Sequence, residues 1–401
     1  MSIFIAILGL ALLIIVHEAG HFFGSLAVGL RPRRFYVGFP PAVLKTTRNG
    51  IEYGLGAVPL GGFVTIPGMH RPIAHDAERR FSRAVEEAPA LAGPVDRVKR
   101  TLDGDDLQAG LYALEDLEDA MRTETLSPAA SASAEKGLTE LRDALGPDAY
   151  WKAATWRRLV AIAAGPASNI ALTLVIFAVL FTQVGGDPSQ TIASVSSDSP
   201  AEEAGLRSGD RVIAVDGDPV DGVGLGERIV GSEGAPLTLT VIRDGKERRM
   251  VVTPTEVDGG YRIGIVREGT GVPPVEAIGR SFEVTAIVSK EITLSLGRLF
   301  TGEGRDEVSS PIGITRVSSE AAQEGYESYL WVLGLISLSL ALLNLLPLLP
   351  LDGGHILFTL IEGARGRFVQ REVYERVSMV GLALVLLLFF VGLSNDIGKL
   401  S

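Results

Sequence analysis

Four apolar runs set the outline of this 401-residue chain. They extend from Ile3 to Leu30, from Leu159 to Val184, from Leu330 to Leu351 and from Val377 to Leu393. Each is near or above the roughly 20 residues that a helix needs to cross a bilayer. Inside hydrocarbon the backbone must satisfy its own polar groups, so these runs are expected to be helices. The hydrophobic fraction of 46% and a mean hydropathy of +0.28 agree with a membrane protein. No Lys or Arg precedes the first run, and it offers no small-residue cleavage site, so it reads as a retained span rather than a secretory signal.

The basic residues orient the spans. Arg31, Arg33, Arg34, Lys45 and Arg48 follow the first span, Arg157 and Arg158 precede the second, and Arg365, Arg367 and Arg371 separate the third from the fourth. All three groups fall on one side, which the positive-inside rule makes the cytoplasm. The expected arrangement is a multi-pass protein of the inner (plasma) membrane, with both termini and residues 185–329 outside. A net charge of −11 without a concentrated basic face argues against nucleic-acid binding. The chain has no cysteine, which excludes disulfides and thiolate metal sites.

Within the first run stands Val16-His17-Glu18-Ala19-Gly20-His21, three ionisable groups in an otherwise apolar stretch. Residues four apart lie on one helical face about 6 Å apart along the axis, so His17 and His21 can aim ring nitrogens at one Zn²⁺. Glu18 beside them suits a general base that takes a proton from a metal-activated water. A hydrogen-bonded core pair of histidines is the plainer alternative, but charged groups at membrane depth cost at least about 2.5 kcal/mol each and are usually functional. A zinc site of this kind needs a third ligand. The third run ends in Asn344-Leu-Leu-Pro347-Leu-Leu-Pro350-Leu-Asp352-Gly353-Gly354-His355, whose prolines and glycines should interrupt a helix. Asp352 is the preferred candidate because a lone buried carboxylate is costly to leave unpaired, and His355 is its rival.

Between the spans the chain changes character. Residues 33–62 read as short strands turned at Asn49-Gly50, a strong hairpin signal, and an edge of this sheet could hold an extended peptide. In residues 70–150 Asp and Glu outnumber Lys and Arg by seven, and large apolar residues look too few for a core, so a solvated, partly mobile helical insertion is expected. The second span carries Gly165-Pro166-Ala-Ser-Asn169, in which Asn169 should seek a partner on another helix. Residues 192–265 read as strands and a short capped helix, with Asp244-Gly245 as a hairpin turn. The apolar spacing of Phe282, Ala286, Ile287 and Leu296 predicts an amphipathic helix at the membrane surface or against the bundle.

Two resemblances add to this reading. Pro200-Ala…Ala204-Gly-Leu…Gly209-Asp-Arg-Val…Val215-Asp-Gly resembles a PDZ domain of the bacterial, circularly permuted kind. That likeness implies peptide binding by strand addition, with Arg262-Ile263-Gly264-Ile265 as the strand beside the groove. The order of His17-Glu-Ala-Gly-His21, Gly165-Pro…Asn169, a PDZ domain, Ser310-Pro-Ile-Gly-Ile and Asn344-x-x-Pro347…Leu351-Asp352-Gly-Gly-His355 resembles the site-2 protease family, and more narrowly its bacterial members that cut anti-sigma factors. The resemblance implies His17, His21 and Asp352 as zinc ligands, Glu18 as the base, Asn344 and Pro347 as substrate-positioning residues, and a membrane-associated β-hairpin. It further implies single-span membrane proteins as substrates, such as anti-sigma factors or signal-peptide remnants, and an upstream site-1 protease acting on the same substrate. Only one PDZ copy is visible where some members have two, and the acidic insertion has no recognised counterpart.

The expected fold is thus a polytopic α-helical membrane protein with about four transmembrane helices, a cytoplasmic hairpin and an extracytoplasmic α+β PDZ domain. Its parts are the first span (1–30), the hairpin region (31–69), the acidic cytoplasmic insertion (70–155), the second span (156–184), the PDZ domain (185–268), an amphipathic helix and linker (269–329), and the last two spans (330–401). The expected function is intramembrane zinc-dependent proteolysis. The alternative is a non-proteolytic PDZ-containing binding protein with a structural metal site. A secondary transporter is disfavoured by four spans without an inverted repeat.

Overall fold

The computed structural model describes residues 2–104, 106–186, 189–257, 260–301 and 308–398. Four of its helices are long and apolar enough to cross a membrane: α1 (Ser2–Ala27), α6 (Thr155–Val184), α11 (Tyr326–Asn344) and the greater part of α13 (Arg371–Gly398). They fall on the four apolar runs of the sequence. The third run does break where its prolines stand: α11 stops at Asn344, and α12 (Asp352–Arg365) starts after a seven-residue loop. The chain divides into two compact units. One comprises residues 1–172, 291–323 and 336–401, and the other comprises 173–290 and 324–335.

In the first unit β1 (Arg34–Arg48) and β2 (Ile51–Thr65) fold twice on themselves. Asn49 and Gly50, both at positive φ, turn the hairpin that pairs Arg48 with Ile51 through Leu44 with Leu55. The first half of β1 lies between two stretches of β2, with Phe35 opposite both Tyr53 and Val64. A small sheet results, and its Gly61–Thr65 stretch lies along α1, since a Cβ on Gly62 would touch Glu18 and Ile14. Phe22 of α1 meets the rings of Phe35 and Tyr53 at 5.2 and 5.9 Å.

The acidic segment departs from expectation. It forms α2 (Ala74–Glu87), α3 (Ala92–Asp103), α4 (Leu107–Thr123) and α5 (Pro128–Leu145), packed around a core that includes Phe81, Leu91, Val98, Leu114, Leu117 and Leu145. Small residues explain the difference. Ala77, Ala84, Ala113 and Ala134 are buried with them and allow close helix approach, so few large side chains fill the interior. The two ends of this bundle are held together. Tyr150 and Trp151 donate backbone hydrogen bonds to the carbonyls of Pro67 and Gly68, and Arg33 pairs with Asp143 and Asp148. Elsewhere in the unit, Asp396 of α13 accepts from the Ser310 amide and hydroxyl and from the Gly313 amide, which caps α10 (Pro311–Glu324). This is a structural task for the Ser-Pro-Ile-Gly motif.

The second unit is built from β3 (Ile192–Val195), α7 (Pro200–Glu203), β4 (Arg211–Val215), β5 (Asp218–Pro219), α8 (Gly222–Gly231), β6 (Leu237–Arg243), β7 (Lys246–Val252), β8 (Thr255–Val257), β9 (Gly260–Arg262) and β10 (Ile265–Arg267), followed by α9 (Pro274–Thr301), whose last turns belong to the first unit. Its main sheet has the order β5-β4-β6-β7, with separate pairs β10-β3 and β8-β9. Ser199 caps α7 through the Glu202 amide, and Asp244-Gly245 turns β6 into β7 at positive φ. The core gathers Ile192, Leu206, Val212, Leu225, Leu239, Val241 and Ile263.

Beside that core Asp210 is fully buried, and Arg243 grips it with two hydrogen bonds of 2.6 Å while the Arg207 amide donates a third. Burial alone would raise the carboxyl pKa, but these donors outweigh it and hold the value below the usual carboxylate range. Its folded value lies below its unfolded one, so the pair's stabilisation is present above about pH 4 and is lost as pH falls through the depressed value. Asp210→Asn, which leaves Arg243 without its counter-ion, is expected to cost about 3–5 kcal/mol. Protection factors of β4 and β6 amides in the full-length protein, corrected for the intrinsic exchange rate at each pH, should fall in the variant at pH 6, and in the wild type only as pH drops below about 4.

Candidate metal centre

An α-helix presents residues 17 and 21 on one face, and in α1 their Nε2 atoms lie 3.3 Å apart, both side chains nearly buried. Asp352, the first residue of α12, brings Oδ2 to 3.2 Å from His17 Nε2 and 3.3 Å from His21 Nε2. The three ligand atoms form an almost equilateral triangle, and they constitute the group of potential metal ligands found among the described residues. A tetrahedral Zn²⁺ with bonds of about 2.0–2.1 Å has ligand-to-ligand edges of about 3.3 Å. The donor set therefore fits zinc in both chemistry and spacing, and three protein donors leave the fourth tetrahedral position to another ligand.

Neighbouring helices hold the ligands. His21 Nδ1 donates to the Ala161 carbonyl of α6 at 3.1 Å, which fixes the tautomer in which Nε2 carries a lone pair. Four residues on, Gly165 lies against the same imidazole, and a Cβ there would overlap Nε2 and Cε1. Gly20 and Gly24 let α1 approach α6 around Ala164, and Ser168 donates to the Val16 carbonyl at 2.8 Å. Asp352 is placed by close backbone packing, since Gly353 and Gly354 abut the peptide groups of Leu345, Leu346, Leu348 and Leu349. Glu18 sits beside the histidines, and a Cβ on Gly62 of β2 would come within 3.0 Å of its Cγ. The sheet thus touches the prospective base directly.

Other residues singled out from the sequence are placed as follows. His355 lies outside the ligand triangle and pairs through Nδ1 with the Tyr374 hydroxyl. Asn344 ends α11 with its amide turned back on the Leu340 carbonyl at 3.0 Å, and Pro347 is exposed in the loop that follows. Asn169 is fully buried, and its backbone carbonyl accepts from Ser337 of α11. The Arg262–Ile265 stretch does not form one strand. Arg262 closes β9, Ile263 is buried with its carbonyl bonded to the Ala201 amide, Gly264 turns at positive φ against Ser199, and Ile265 opens β10. The Ala161 carbonyl and Gly62 are site components that residue type alone could not reveal. Only Gly165 had a signal, in its Gly-Pro motif.

Comparison with known proteins agrees with this geometry. Residues 5–388 match the model of peptidase family M50. The zinc metalloprotease RasP of Geobacillus kaustophilus is 30% identical over 96% of this chain and 95% of its own. The zinc metalloprotease-type proteins LL2128 of Lactococcus lactis (29%, covering 98% and 97%) and Atu1380 of Agrobacterium fabrum (30%, covering 98% and 95%) are similar throughout.

Gly165→Ala places a methyl group where the His21 ring stands, so the purified variant is expected to retain markedly less zinc by metal analysis at unchanged helical content. Gly93→Ala, in α3 with open space around it, is the matched control and should retain wild-type zinc.

Proposed function

Since the chain belongs to peptidase family M50, the site-2 protease family, and is a zinc-dependent metalloendopeptidase of the membrane, we propose that it cuts single-span membrane proteins within or beside their transmembrane segments in regulated intramembrane proteolysis. The observation that carries this reading is the triangle of His17, His21 and Asp352 with Glu18 at its side, in a helix apolar enough to span a bilayer. His17, His21 and Asp352 hold the zinc. When bound, zinc polarises the scissile carbonyl and acidifies a water.

The chain's own groups supply the rest. Glu18 accepts the water's proton and returns it to the leaving amine, and the Gly61–Thr65 stretch of β2 packs against the side chain that does so. A transmembrane helix hides its amides, so the substrate must unwind, and the Gly61–Thr65 stretch beside Glu18 offers a strand for it to pair with. Asn344 and Pro347, at the broken end of α11, steady the extended segment. Substrates then carry helix-breaking Gly, Pro or small residues near the cut. The hairpin and acidic bundle lie on the cytoplasmic side and both termini outside, with the second unit an exported PDZ domain that binds peptide at the Arg262–Ile265 turn. An upstream site-1 protease trims the substrate first.

Glu18→Gln is expected to retain zinc and to lower cleavage by about 10²–10⁴-fold, whereas His17→Ala and Asp352→Ala lose the metal as well. Comparing membrane proteomes of cells carrying wild type or Glu18→Gln should reveal accumulating single-span proteins. If none accumulates, or if Glu18→Gln is fully active, the proteolytic reading fails in favour of a structural metal site.

A further inference from the structure

Ten residues beyond Asp352, the same helix carries a buried ion pair. Glu362 Oε2 accepts from Arg158 Nη2 at 2.5 Å, with side-chain exposures of 10% and 8%. Arg158 belongs to the first turn of α6, and its guanidinium stacks over Tyr150 at 4.9 Å from the ring centroid and reaches Thr359 Oγ1 at 3.4 Å. The Tyr150 hydroxyl also meets Thr359 Oγ1, at 3.2 Å, and Glu362 Oε1 accepts from the Val369 amide at 2.9 Å. Three groups from three segments of the chain, Tyr150, Arg158 and the Val369 amide, thus close around one side of α12.

The placement of this network ties it to the metal centre. Steps of seven and three residues put Asp352, Thr359 and Glu362 on one face of α12, about 15 Å from end to end. On α6, Arg158 precedes Ala161, which holds the His21 ring, by three residues, and Gly165 follows one turn later. One helix therefore grips His21 at one level and α12 at the next. We propose that Arg158 and Glu362 are positioning residues that set the rotation and depth of α12, and through it the place where Asp352 Oδ2 meets the two histidines. This proposal rests on the metal-centre reading above.

Energetics favour a geometric role for the pair. A buried ion pair adds little net stability over apolar side chains of the same volume, but it demands one arrangement and penalises every other. Triangle edges of 3.2–3.3 Å allow the third ligand only tenths of an ångström before zinc coordination weakens. An α12 free to rotate by a few degrees would move Asp352 by that much.

The test uses the full-length protein in detergent, stripped of zinc and titrated with Co²⁺, whose visible d–d absorption reports affinity and coordination geometry without reference to activity. Glu362→Gln and Arg158→Met should each weaken Co²⁺ binding about tenfold or more and change the band shape. Arg158→Lys, which keeps the charge, should recover most of the loss. Asp210→Asn, which breaks a buried pair in the other unit, should leave the metal affinity unchanged. If Glu362→Gln does not fold, Thr359→Val removes one joint of the network at constant volume and should still weaken Co²⁺ binding relative to Asp210→Asn. Wild-type affinity and spectrum in folded Glu362→Gln or Thr359→Val would overturn the proposal, as would an equal loss in Asp210→Asn. A wild type that binds cobalt as expected yet cleaves no membrane substrate would sink the proteolytic reading and leave the clamp standing.

Discussion

Three lone-pair atoms converging to 3.2–3.3 Å in a nearly dry setting repel one another unless a cation neutralises them. That is the constraint on which the first unit depends. Two of the atoms come from a single helical face and cost nothing in tertiary organisation. The third must be delivered from a residue more than three hundred positions away in the chain. Much of the packing around α1, α6, the broken end of α11 and α12 serves that delivery.

Glycine and small residues perform most of this work, for a reason specific to membranes. Apolar side chains gain little by leaving lipid for protein, so helix association relies on close backbone approach and on hydrogen bonds. Gly20, Gly24 and Gly165 bring α1 against α6, and Gly353 and Gly354 seat the start of α12 on the loop before it. The polar ties follow the same logic. The Ala161 carbonyl on His21, Ser168 on Val16, Ser337 on Asn169 and Asp396 on the start of α10 each settle a group that hydrocarbon could not solvate.

The parts that differ most from the sequence reading lie outside the apolar runs. The acidic segment looked too poor in large side chains for a core, yet Phe81 and a few leucines suffice once alanines let four helices close on them. Charge counts describe the exposed face of such helices and say little about the buried one. The PDZ resemblance implies a strand over Arg262–Ile265, but Gly264 adopts a positive φ and splits the stretch between β9 and β10. Whether a glycine bends or extends depends on what packs beside it, here Ser199.

The sequence by itself determined the number and place of the spanning helices, the break after Asn344, the hairpin turns at Asn49-Gly50 and Asp244-Gly245, and the candidate ligands His17 and His21 with Asp352 or His355 as the third. Each of these follows from local composition, from helical periodicity, or from the cost of charge in an apolar setting. Only the tertiary structure decided between Asp352 and His355 on geometric grounds, laid Gly62 against Glu18, and joined Arg158 to Glu362. Those relations span tens to hundreds of residues. No local pattern encodes them, because hydrogen bonds of this kind become specific only when packing has excluded the alternatives.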